Sequence, residues 1–250
     1  LATSDPIAAI EEAEHVLQGG STDEKQQVIQ MLCRMSQREA RDVLVRALQR
    51  QLTTDAALSI RLDLLEAAQK RGERVLVDIA REIESQRDSK DPLGHYRECL
   101  SGGNVEQGEK VFFNNKKVTC VRCHMVNERG GSVGPNLSKV GREKTTEYLL
   151  ESIVLPSAKI SPGYSTVQFL MATGQIQSGI VKKEKSDHFV VQNADGDLVT
   201  LQKDDIDEMQ AGLSGMPSSL AGQLSKRELR DLVAYLGTLV EEKKRSGHVE

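Results

Sequence analysis

The chain has 250 residues, 38% apolar and 28% charged, with no tryptophan and a net charge of −4. That length suffices for two ordinary domains, and the balance suits a soluble, helix-rich protein better than a disordered or membrane-embedded one. Residues 1–90 carry 13 Lys+Arg against 16 Asp+Glu and the remainder 20 against 21, so neither half has the basic footprint of a nucleic-acid binder. No apolar run reaches the roughly 18–20 residues that a membrane-spanning helix needs.

The chain begins "LATSDP", without Met or an apolar leader, which fits either a removed secretion signal or a piece of a longer protein. Residues 4 to about 88 read as successive amphipathic helices. "STDEKQQVIQMLCRM" opens with the capping box Ser21/Glu24 and puts Val28, Leu32 and Met35 on one face. "SQREARDVLVRALQR" predicts a second box at Ser36/Glu39, with Ala40, Val43, Leu44, Ala47 and Leu48 at the spacing of a buried stripe. Two more helices are predicted over Thr54–Lys70 and Glu73–Gln86. Short helices at tight corners fit a HEAT- or armadillo-like array or a simple helical bundle, in either case a scaffold or docking surface. "QRDSKDPLG" is polar and contains proline, which sets the expected domains at 1–90 and 91–250.

Beyond this point the texture changes. "YSTVQFLMA", "IQSGIVKKE", "HFVVQNA" and "LVTLQ", separated by turn signals, predict a small antiparallel sheet at about 164–209. The chain closes on "LSKRELRDLVAYLGTLVEEKKR". Ser225 and Glu228 form a third capping box, Leu229, Leu232, Val233, Leu236, Leu239 and Val240 one apolar stripe, and Lys243, Lys244 and Arg245 a basic C-terminus.

The chemistry concentrates in "VTCVRCHMVN". Two thiols on one turn, Cys120 and Cys123, can bond covalently to the vinyl groups of one haem c, and His124 can then bind its iron. A redox dithiol would follow a strand and open a helix in an α/β pattern, which is lacking here. A structural zinc site needs four ligands, yet Cys33 and Cys99 stand alone and His95 and His188 have no paired partner. A chance match is the bland reading. The candidate sixth ligands are Met125, Met171, Met209, Met216 and the remaining histidines. Met125 adjoins His124 and cannot reach the opposite haem face, Met171 lies in a strand pattern, and Met209 ends an acidic segment. Met216 lies in "AGLSGMPSSLAG", a loop suited to delivering a thioether, so the metal ligands expected are His124 and Met216. Their separation is long for a compact cytochrome, but without the sheet-forming block it falls in the usual range.

"GEKVFF", "CVRCH", "GGSVGPNLSKVGR", "YLLESIVLPSAKISPGYSTV", "SGMP" and "ELRDLVAYLGTL" together resemble the haem-binding cytochrome c domain of planctomycete and verrucomicrobial proteins. The resemblance covers about Asp91 to Val240. It implies a mainly α fold: a helical-repeat or bundle domain, then a class I-like monohaem cytochrome c domain with an antiparallel β-insertion. As in small cytochromes c, the Pro135 carbonyl would orient His124, and the terminal helix would cross the Gly108–Phe112 helix. Gly215 replaces the family's usual Leu before Met-Pro. Tyr164 and Arg142 are candidates for haem propionates. Such domains end large exported proteins, often after a helical segment and a β-propeller dehydrogenase-like domain. The function implied is extracytoplasmic electron transfer between redox partners, with no substrate conversion by the chain itself. The rivals are a haem enzyme or gas and peroxide sensor with an open sixth site, and an interaction module whose haem is structural. In an oxidising compartment Cys33 and Cys99 could form a disulfide, or remain buried thiols.

Overall fold

A computed structural model describes residues 5–53 and 58–240. The predicted start of the fourth helix at 54–57 and the basic residues Lys243, Lys244 and Arg245 lie outside the described residues. The chain divides into two compact units, Leu1–Gly103 and Asn104–Glu250.

The first unit is helical: α1 (Pro6–Gly19), α2 (Thr22–Arg34), α3 (Arg38–Gln51), α4 (Leu58–Arg71) and α5 (Arg74–Ser85). Pro6 opens α1 behind Asp5, whose side chain accepts from the Ile7 amide at 2.9 Å. The Ser21/Glu24 capping box starts α2. The box predicted at Ser36/Glu39 does not form. The N-cap of α3 is Gln37, so Glu39 falls one position short of the reciprocal bond and Ser36 lies outside the helix. Ile10, Ile29, Leu32, Leu44, Leu48, Leu64 and Leu76 bury their side chains in one core. Each helix packs on the next and the next but one. The buried Arg71 guanidinium joins three of them: it holds Glu73 at 2.9 Å and caps the end of α2 through the Leu32 and Met35 carbonyls. The division falls after Gly103, later than the seam suggested near Asp91. A 3-10 turn at Gly94–Cys99 packs on α4, and buried Glu98 takes the Arg87 guanidinium at 2.6 Å. The polar proline-bearing stretch is therefore a turn inside the first unit. Cys33 and Cys99 are not joined in a disulfide; Cys33 Sγ lies 3.9 Å from the Ala67 carbonyl and Cys99 is fully buried.

The second unit begins with α6 (Val105–Asn114), capped by the Asn104 side chain. There follow α7 (Cys120–Cys123), the two-residue strands β1 (Met125–Val126) and β2 (Arg129–Gly130), α8 (Val140–Glu143) and α9 (Thr146–Val154). The sheet comprises β3 (Ser165–Met171), β4 (Ile176–Glu184), β5 (His188–Gln192), β6 (Leu198–Gln202) and β7 (Ile206–Ser214), in the order β6-β5-β4-β3-β7, all antiparallel. Then come α10 (Leu220–Gln223) and α11 (Lys226–Gly237), the latter with the Ser225/Glu228 capping box. Helices α6 and α11 cross at Gly108, where a Cβ would lie 1.9 Å from the Asp231 carbonyl oxygen. Phe112 and Tyr235 pack across this crossing, their ring centroids 5.9 Å apart.

The sheet has its own small core of Phe169, Met171, Phe189, Val191 and Leu201. It runs to Ser214 rather than ending near Met209. Strand β7 escapes a sequence reading because it is an edge strand whose residues are mostly exposed, leaving no alternation between a wet and a dry face. Met209 sits in β7 opposite Phe169. The loop carrying Met216 is correspondingly shorter, spanning only 215–219.

Candidate haem site

Cys120 and Cys123 occupy the two ends of α7, one helical turn, so their three-residue spacing puts them on the same side of it. Thr119 precedes it at φ 41°, the left-handed region that a β-branched residue seldom adopts, and turns the chain from the α6 side into the motif. The turn is fastened by the Thr119 amide on the Asn115 carbonyl at 3.2 Å and the His124 amide on the Cys120 carbonyl at 3.0 Å. Asn115 also holds the approach: its Oδ1 accepts from the Lys117 amide at 2.8 Å, and its Nδ2 donates to Glu228 at 3.2 Å.

His124 follows at once. Its Nδ1 lies 3.0 Å from the Pro135 carbonyl oxygen. An imidazole that donates from Nδ1 leaves the Nε2 lone pair for a metal. Burial lowers the His124 pKa, against the smaller opposing effect of the Pro135 carbonyl, which keeps the ring neutral and competent as a ligand. Gly134 lies flat against the ring; a Cβ there would come within 2.6 Å of Cε1. The donor set therefore fits a covalently bound haem: two thiols one turn apart and a neutral imidazole whose second nitrogen is already engaged.

The same geometry weakens the other chemistries. A dithiol oxidoreductase needs a readily ionised nucleophilic thiol. Burial, with a smaller contribution from Cys123, pushes the Cys120 thiol up to about 11. Among the described residues no group of three or more His, Cys, Asp or Glu side chains is placed to hold a metal ion, so a zinc site finds no ligand set.

Cys120, Cys123, His124 and Pro135 come together. Met216 is half-buried in the loop between β7 and α10. Its amide donates to Ser214 Oγ at 3.2 Å, and the Ser214 amide donates to Ser157 Oγ at 3.1 Å, so the loop is pinned to the "LPSAKISPGY" segment. Of the other methionines, Met171 is buried in the sheet core and Met125 is in β1. Tyr164 lies half-buried beneath Lys182, whose Nζ is 5.4 Å from the ring centroid, and Arg142 is exposed on α8.

Two neighbours of the site have no signal in the sequence. Arg122, between the cysteines, donates to Asp195 at 2.6 Å and ties the β5–β6 turn to the motif. Arg129 covers the Phe113 ring at 4.1 Å. Each pairing spans a separation over which periodicity carries no information.

Residues 105–190 match the family model described as Cytochrome c. The match supports a cytochrome c haem-binding domain, covalently bound haem c and haem-based electron transfer with redox partners. It ends within β5, upstream of Met216. Among curated proteins none matches the chain. No helix among the described residues is long and apolar enough to cross a membrane.

Proposed function

We propose that this chain transfers electrons through one covalently bound haem c held by Cys120 and Cys123 and ligated by His124 and Met216, in an extracytoplasmic compartment. The observation that carries the reading is the one-turn Cys120–Cys123 helix followed by His124 with its Nδ1 on the Pro135 carbonyl. When bound, the haem would supply a one-electron couple, and a histidine and a methionine as ligands would favour a higher potential than two histidines. The chain's own residues do the rest. Cys120 and Cys123 would hold the group covalently, and Pro135 and Gly134 hold the imidazole so that it need not move when charge changes. The Ser157–Ser214 contact sets the root of the loop that would deliver Met216. Covalent haem attachment outside the cytoplasm supports the location.

We assign the unit from Asn104 onward this redox role and the helical unit up to Gly103 a scaffold role. The packing of each helix on its next two neighbours supports a HEAT-like stack over a closed bundle. The resemblance supports a place at the end of a larger exported dehydrogenase-like protein, passing electrons to another periplasmic carrier.

Optical spectra of the oxidised and reduced protein, beside Met216→Ala, test the ligand set. A low-spin wild type with the weak far-red sulfur-to-iron band, lost in the variant, supports it. A high-spin wild type that binds CO readily would replace it with an open-site enzyme or sensor.

A further inference from the structure

The segment 131–138 runs beside 121–127 and is fastened to it at four points. The Gly131 amide donates to the Val121 carbonyl at 2.9 Å, Gly134 to Cys123 at 2.8 Å and Leu137 to Met125 at 2.8 Å. Those three are main chain on both sides, so they depend on backbone path alone. The fourth needs a side chain: the Asn127 amide donates to Ser138 Oγ at 2.8 Å. Pro135, whose carbonyl faces His124, lies between the second and third of these bonds.

Ser138 is built for that place. It is 1% exposed, although it is a polar residue in a loop. Its hydroxyl donates to Asn136 Oδ1 at 2.7 Å, and the same oxygen accepts from the Ser138 amide at 2.9 Å. The hydroxyl proton is thus committed to Asn136, which leaves an oxygen lone pair for the Asn127 amide. Asn127 and Glu128 both have positive φ, 48° and 62°, so this fastening also steadies the unfavourable turn between β1 and β2. Nothing in the haem-attachment chemistry requires a buried hydroxyl here.

We propose that Ser138 is a positioning residue for His124: its hydroxyl, oriented by Asn136, holds the Pro135 carbonyl against Nδ1 and thereby lowers the potential of the haem. The proposal rests on the reading of His124 as the iron ligand. A firm bond from Nδ1 makes the imidazole a stronger electron donor and favours the oxidised metal. Loss of the fourth fastening frees the end of the loop, weakens that bond and raises the potential.

The test uses full-length protein with its haem attached. Ser138→Ala, Ser138→Thr and Asn136→Ala are compared with wild type. Ser152→Ala is the control, because its hydroxyl donates to the Tyr148 carbonyl within α9, at 2.8 Å. Covalent haem content, midpoint potential and the His124 Nδ1–H proton resonance are read on each. The expected result is a positive shift of potential in Ser138→Ala with faster exchange of the Nδ1 proton. Asn136→Ala gives a smaller shift of the same sign, Ser138→Thr stays near wild type, and Ser152→Ala changes neither quantity. If Ser138→Ala does not fold, Asn136→Ala decides by the same shift. An unchanged potential with only a lowered melting temperature makes the hydroxyl purely structural and overturns the proposal. Wild-type protein without covalent haem overturns the haem reading itself, and the Ser138 role with it.

Discussion

The two units are held together by opposite means. In the helical unit, side chains make the contacts: Leu32, Leu44, Leu64 and Leu76 fill the space between helices, and Arg71 reaches across to cap a neighbour. In the second unit the decisive contacts are made where side chains are missing. Gly108 brings α6 against the backbone of α11, and Gly134 lies against the His124 ring. The first arrangement spreads stability over many interchangeable apolar groups. The second fixes a few atoms closely, as a site that positions a ligand must, and it tolerates little change at those points.

That contrast predicts its own failures. The largest effect is expected from Gly108→Ala. Its methyl would lie 1.9 Å from a main-chain oxygen and 2.7 Å from the Tyr235 Cβ, and neither can yield without parting the helices. A loss of about 3 kcal/mol or more is expected, with little holoprotein recovered, measured as haem-to-protein ratio and urea midpoint. Leu76→Ala, in the fully buried core of the helical unit, is expected to cost about 3 kcal/mol. Its loss should appear in the far-ultraviolet melt, while the haem spectrum keeps its wild-type form. Equal damage to the spectrum would erase the distinction between the units.

The smallest effect is a pH dependence of the haem-free chain. Burial makes the Cys120 thiolate less favourable in the fold than in the unfolded chain, so its folded pKa is raised, to about 11. The resulting stability is fully present below the ordinary thiol range and is lost as pH rises through about 11. Urea midpoints between pH 8 and 11 should fall, and Cys120→Ala should flatten that slope. Tyr235, raised to about 12 by burial and then by Glu109, leaves a remainder in the variant from about pH 10 upward. An equally steep slope in Cys120→Ala would assign the effect elsewhere.

Much of the fold was legible because its signals are local. The stripe of α3, the Ser21 and Ser225 capping boxes and four of the five sheet strands follow from residues within a turn or two of one another. The Ser36 box failed for an equally local reason, since a helix start displaced toward Arg38 puts its glutamate at the wrong position. Strand β7 failed for a different one. It owes its conformation to pairing with β3 rather than to a buried face of its own, and its mostly exposed residues do not record that partner.

The site divides in the same way. The order of Cys120, Cys123 and His124 by itself offers covalent haem attachment beside dithiol and zinc readings, because the spacing of two thiols and an imidazole on one turn is a property of adjacent residues. Pro135 was legible through its Gly-Pro-Asn-Leu context. Only the tertiary structure decided that Ser138 closes the loop behind that proline, that Asp195 in the β5–β6 turn reaches Arg122, and that the terminal helix, expected to cross at Gly108, presents the Asp231 carbonyl there. Those interactions depend on where distant segments are brought together, and a hydroxyl, a carboxylate or a missing Cβ carries no mark in the sequence of the partner it will meet.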